Sequence, residues 1–178
     1  MSTLRLCNVD PDALALATCH TVLKNLRALS DLLLVAIEAP VWNEADEAFR
    51  FTPLFKFVHD LTVYAKTGES GSEETIPQRL GKFDALYIGP LGYPVAPPPD
   101  MELELVISAA QARWLLHTGH RITTAQLATL VSLDRMRIQQ MIMDREVSAT
   151  QHTTGRRGWT ISPRSAFKLL ATRAAAPR

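Results

Sequence analysis

Cysteine is scarce in this chain. Cys7 and Cys19 are the only two, and neither belongs to a CxxC pair or to a Cys/His cluster at metal-ligand spacing. That argues against a zinc site, and both read as reduced thiols, structural or exposed, of a cytoplasmic protein. Long apolar runs are missing too. The most apolar stretch, residues 32–39, is too short to cross a bilayer and is bracketed by Asp31 and Glu38. The start of the chain lacks a basic region followed by an apolar core and cleavage site, so no secretory signal is expected. Also absent are a phosphate-cradling loop, a metal-ligand set, paired carboxylates in an apolar setting and a nucleophile with an evident base. These absences give no sign of an enzyme, a cofactor or a membrane partner.

Net charge is small as well, only +1 at pH 7, which by itself points to no partner. Its distribution says more. Residues 1–100 carry eight Lys/Arg against thirteen Asp/Glu, whereas residues 101–178 carry eleven against five. Ten of those eleven cations are Arg, whose planar fork makes bidentate contacts to phosphate and guanine that Lys cannot. An apolar fraction of 47% and a charged fraction of 21% are those of an ordinary soluble globular protein. A length of 178 residues leaves room for one medium domain or two small ones.

The first half reads as helical. Asp10 is placed to cap a helix, with Pro11 in its first turn and Asp12 near the N-terminal dipole. Val22, Leu23, Leu26, Leu29, Leu33, Ala36 and Ile37 form a helical apolar stripe that Pro40 ends. Plain core and a dimer seam share that pattern. A short helix is expected over residues 44–49, and Thr52 with Pro53 opens another over 54–66, lined by Phe57, Val58, Leu61 and Tyr64 or Ala65. His59 has no partner in sequence and reads as a surface or packing histidine. Residues 67–75 make an acidic flexible loop. Residues 80–88 suit a short helix or a strand equally. Five prolines over 89–100 favour an extended, semi-rigid connector. The expected domains are therefore a helical domain over 1–88, a linker over 89–100 and a second domain over 101–178.

In the second domain, Leu103, Leu105 and Ile107 alternate with Glu102 and Glu104, which suits a strand. Ser108 and Gln111 form a capping box for a helix running to about His117, and Gly119 is placed to end it. Thr123 with Gln126 forms a second capping box, and Asp134 can cap the helix after that. Leu127, Val131, Leu133, Ile138 and Met141 fall where two short helices crossing at a tight turn bury side chains. Ala128 supplies the small residue their close approach needs. The second helix of such a pair lies in the major groove. Here it offers Arg135, Met136 and Arg137, then Gln139 and Gln140. Arg suits guanine O6 and N7, Gln suits adenine N6 and N7, and Met136 suits a thymine methyl. Thr124, in the first turn of the preceding helix, would face a phosphate. The plainer alternative leaves Arg135 and Arg137 solvated or paired with Asp134 or Glu146. Two short strands over 147–151 and 159–161 follow, joined through a tip holding Arg156 and Arg157 between two glycines, placed to reach a backbone phosphate or the minor groove. Trp159 would pack the hairpin against the helices. Ser162 and Pro163 open a last helix with Ala166, Phe167, Leu169 and Leu170 apolar.

The stretch Thr123 to Ala128, then Ser132 to Arg135, then Gly155 to Phe167, resembles the winged helix-turn-helix DNA-binding domains of phage excisionases and MerR-like regulators, over about residues 108–172. The resemblance implies groove contacts from the helix over Arg135 to Gln140 and backbone contacts from Arg156 and Arg157. One departure is Ser132, at a turn position usually filled by Gly. The expected protein is mainly α: an N-terminal helical domain, a Pro-rich linker and a C-terminal winged helix-turn-helix with a small β-hairpin. The expected function is sequence-specific binding of double-stranded DNA, as a transcriptional regulator or recombination accessory factor, with a homodimer formed through the N-terminal helices. A protein-interaction adaptor using the same winged helix is the alternative.

Overall fold

Helix starts set by side-chain caps organise the N-terminal part of the molecule. The computed structural model describes residues 5–32, 46–70, 75–81, 101–152 and 158–174. It is mainly helical with a small three-stranded antiparallel sheet. The chain gathers into two units, one of residues 9–64 and 69–104 and the other of residues 1–8, 65–68 and 105–178.

In the first unit, helix α1 spans Pro11–Leu32, and the Asp10 carboxylate accepts the Ala13 N–H at 3.0 Å, the expected cap. Leu14, Ala15, Cys19 and Leu23 are buried along one face. The later part of the apolar stripe, from Leu26 on, and the Pro40 stop lie outside the described side chains. Helix α2, Asp46–Arg50, is the short helix, and α3, Pro53–Thr67, follows with its N-terminus capped by Thr52, whose hydroxyl accepts the Phe55 N–H at 3.2 Å. Val58 and Leu61 on α3 are fully buried, and residues 65–67 of the helix belong to the other unit. His59 packs on the Phe55 ring, 6.1 Å between centroids, with its ring nitrogens towards Asp12 and Asp60. Residues 76–81 are helical (α4), so the helix reading holds for positions 80 and 81, and the Pro-rich stretch lies outside the described residues.

The strand expected over 101–107 is not there. Met101–His117 is a single helix, α5, and the capping box expected at Ser108 falls inside it. The alternation of Leu103, Leu105 and Ile107 suggested a period of two. The deeply buried positions are instead Leu103, Val106, Ala109 and Ala110, spaced for a helix, while Leu105 and Ile107 stay half-buried. Glu102 and Glu104 in the first turn complement the helix dipole.

The second unit is built around α6, Thr124–Val131. Before it comes β1, Ile122–Thr123, and after it α7, Arg135–Met143, then β2, Ala149–His152, β3, Gly158–Ile161, and α8, Pro163–Ala174. The strand order is β1-β3-β2, with Ile122 opposite Ile161 and Ile161 opposite Ala149. That row faces the core, since Ile122 and Ile161 are both essentially inaccessible. Two residues are too short to show a strand period, so β1 had no signal in the sequence. Helix α6 touches α7, α8, β1, β3 and the 3-10 turn Leu6–Asn8. The α8 start matches expectation: the Ser162 hydroxyl accepts the Ser165 N–H at 3.4 Å.

Three helices of this unit end in the same way, with the chain stepping into the left-handed region. After α5 the residue is Gly119 (φ 83°), after α6 Ser132 (φ 53°) and after α7 Arg145 (φ 61°). In each case the next N–H reaches back five residues to a carbonyl: His120 to Leu115, Leu133 to Ala128, and Glu146 to Met141. Only glycine takes this conformation without crowding its own Cβ. Ser132 thus makes the tight turn usually built on Gly, at a local cost.

Arg113, 7% exposed, is the buried cation among the described residues of this unit. Its guanidinium donates to the carbonyls of Ala65 (3.0 Å), Lys66 (2.9 Å) and Thr67 (3.4 Å), at the C-terminal end of α3. All four residues belong to the same unit. His117, one turn along α5, stacks on Phe167 at 5.5 Å. Burial, and then the Arg113 charge, push its pKa below the ordinary 6.5.

Two outcomes follow. Ser132→Gly raises unfolding stability by about 1 kcal/mol in urea melts, through removal of left-handed strain. His117 binds its proton less readily when folded, so its contribution is present above about pH 6.5 and lost as pH falls through its lowered folded pKa. Melts at decreasing pH therefore show a steeper fall in stability for the natural chain than for His117→Gln.

Candidate nucleic-acid interface

Helix α7 is amphipathic in a simple way. Ile138, Met141 and Ile142 are 0%, 7% and 7% exposed and pack inward. Arg135, Met136, Arg137 and Gln140 are exposed, and Gln139 is half-buried. The expected pairing of Leu127, Val131, Ile138 and Met141 in one core is present, Leu133 being half-buried beside it.

Asp134 occupies the N-cap position with extended backbone but makes no side-chain cap bond. Among the described residues, Arg135 and Arg137 make no ion pair or side-chain hydrogen bond, so the pairing with Asp134 or Glu146 that sequence allowed is not formed. Gln140 is differently placed. Its amide nitrogen donates to both carboxylate oxygens of Asp144, at 2.9 and 3.1 Å.

Thr124 requires a correction. It is 4% exposed and cannot meet a phosphate with its side chain. The cap of α6 is Thr123: its hydroxyl accepts the Gln126 N–H at 3.2 Å, and the Gln126 side chain accepts the Thr123 N–H at 2.9 Å. That reciprocal box, the pairing of β1 with β3, and the burial of the next residue close this helix start.

Arg156, Arg157 and the rest of the 153–157 tip lie outside the described residues; the strands on either side of it pair antiparallel. Trp159 is half-buried in β3, in keeping with a packing role. Two exposed cations gain a definite place that sequence had not singled out. Arg121 donates to the Thr150 hydroxyl at 2.8 Å, across the sheet, and Arg145 stands at the left-handed end of α7. The count of arginines included them, but the strand pairing and the helix end that place them are tertiary facts.

Among the described residues no group of three His, Cys, Asp or Glu side chains could hold a metal ion, and no helix is long and apolar enough to cross a membrane. No family model, no curated protein and no solved structure matches the chain.

The outward face also carries two apolar side chains. Met136 and Met143, seven positions apart, are 80% and 67% exposed, against 7% for Met141. Mild peroxide treatment followed by peptide mapping therefore oxidises Met136 and Met143 well before Met141, with the helical circular dichroism unchanged. Equal rates for the three would mean that α7 does not present this face.

Proposed function

We propose that the protein binds double-stranded DNA sequence-specifically, as a transcriptional regulator or recombination accessory factor. In this reading residues 101–178 hold a winged helix-turn-helix of the excisionase or MerR-like type, α7 enters the major groove, and the 153–158 loop lies on the backbone. The observation that carries it is the pair Arg135 and Arg137, exposed and unpaired on the first turn of a helix whose opposite face is anchored by Ile138 and Met141. A recognition helix needs that combination of free donors and fixed position. Met136 between them is available for a thymine methyl, and Gln139 lies along the same helix. Arg156 and Arg157 supply phosphate contacts. A homodimer through the N-terminal helices would place two such helices on a symmetric site.

A second reading has its own support. Met136 and Met143 expose apolar surface on the same helix, and Gln140 is engaged with Asp144. Both features suit the docking of a partner protein, in which the chain acts as an adaptor.

Selection of bound duplexes, followed by titration over a salt series, separates the two. Arg135→Ala or Arg137→Ala costs about 1–3 kcal/mol at one position of the selected site. Replacing Arg156 and Arg157 by Ala weakens binding to all duplexes alike and lowers the salt slope by roughly one for each phosphate contact removed. Failure of any duplex to bind at low salt would leave the adaptor reading in its place.

A further inference from the structure

Beside the start of α7 lies a groove of about 500 Å³, contained within the second unit. Leu6, Leu105, Ala128 and Leu133 give it an apolar floor. Leu6 and Ala128 are 3% and 7% exposed, so this floor is part of the packed core rather than a loose surface. Arg5 and Arg137 line the same groove, together with Asp134. Among the described residues none of these three charged side chains has a hydrogen-bond or ion-pair partner.

Three unpartnered charged groups and four apolar side chains lining one space of this size suit a small molecule with a charged end and an apolar body. Two guanidiniums against one carboxylate favour a single negative charge. A DNA phosphate would satisfy the cations but leave the half-buried Leu105 and Leu133 in contact with water. We infer that the groove binds a small amphipathic carboxylate, with its anionic end held by Arg5 and Arg137 and its apolar body on Leu6, Leu105, Ala128 and Leu133. Asp134 excludes dianions from the same place by like-charge repulsion. Because Arg137 is also one of the two arginines offered to DNA, the carboxylate and DNA compete for it, and the effect is reciprocal. The competition rests on the DNA-binding reading above; the binding of the carboxylate does not.

The test is a titration of the isotope-labelled full chain, followed by heteronuclear NMR, with phenylacetate and in parallel with its neutral amide, phenylacetamide. Phenylacetate produces saturable shifts at the backbone amides of Ser132, Leu133 and Arg137, and phenylacetamide does not. Arg5→Gln, a change at an exposed position, weakens phenylacetate by about tenfold, the loss of one charge-assisted contact. It leaves DNA affinity unchanged, and saturating phenylacetate raises the Kd for duplex DNA by about tenfold. Absence of saturable shifts, equal response to acid and amide, or undiminished binding by Arg5→Gln would each overturn the assignment. A fall in DNA affinity for Arg5→Gln with no response to phenylacetate would give the rim to the DNA backbone instead. If no duplex binds at all, the competition fails with the DNA reading, and the shifts still decide whether the groove takes a carboxylate.

Discussion

Thr124, Leu127, Ala128, Leu130 and Val131 are all buried, which leaves Ala125 as the one exposed residue of α6. A helix of eight residues has no stability of its own in water. It exists because α7, α8, β1, β3 and the N-terminal 3-10 turn cover it, and each of these is oriented by the contact. The burial of α6 is thus what holds the remaining elements of this unit in a fixed relation. Its reciprocal capping box fixes where it begins, and the left-handed step at Ser132 fixes where it stops.

That fixed relation is what gives α7 a defined outer surface. Ile138, Met141 and Ile142 dock inward, so a rotation about the helix axis would bring polar side chains into a dry contact. Arg135, Met136 and Arg137 are presented to water at the end nearest the turn, where positive charge is already concentrated by the unsatisfied N–H groups. Asp134 works in the opposite sense, placing a carboxylate beside two guanidiniums without taking either. The surface is cationic without being uniformly so, and the groove beside it has both polarity and an apolar base.

Local signals in the chain predicted the helix ends well. Asp10, Thr52, Thr123 and Ser162 each accept the backbone N–H that their positions suggested, because capping is decided within four residues. The apolar spacing of Leu127, Val131, Ile138 and Met141 gave the paired helices for the same reason. Other features escaped: Asp134 stands at the N-cap of α7 without a cap bond, and the box expected at Ser108 lies inside α5. The alternation at 103–107 imitated a strand because a run of alternating Leu and Glu satisfies both periods, and only burial of Val106 and Ala110 decides between them. The roles of Thr124 and Gln140 escaped because each depends on a neighbour: the core around α6 in one case, the Asp144 carboxylate one turn further on in the other.

The tie between Gln140 and Asp144 has a chemical consequence. With its NH₂ donating to a carboxylate, the side chain keeps its carbonyl oxygen as the acceptor it can still offer. A base edge meeting it in a groove would have to supply a hydrogen. The exocyclic amines of cytosine and adenine do so, while guanine and thymine turn only acceptors to the major groove. On the DNA-binding proposal, the tie to Asp144 would turn a side chain with a single natural base partner into a test for the presence of an amine.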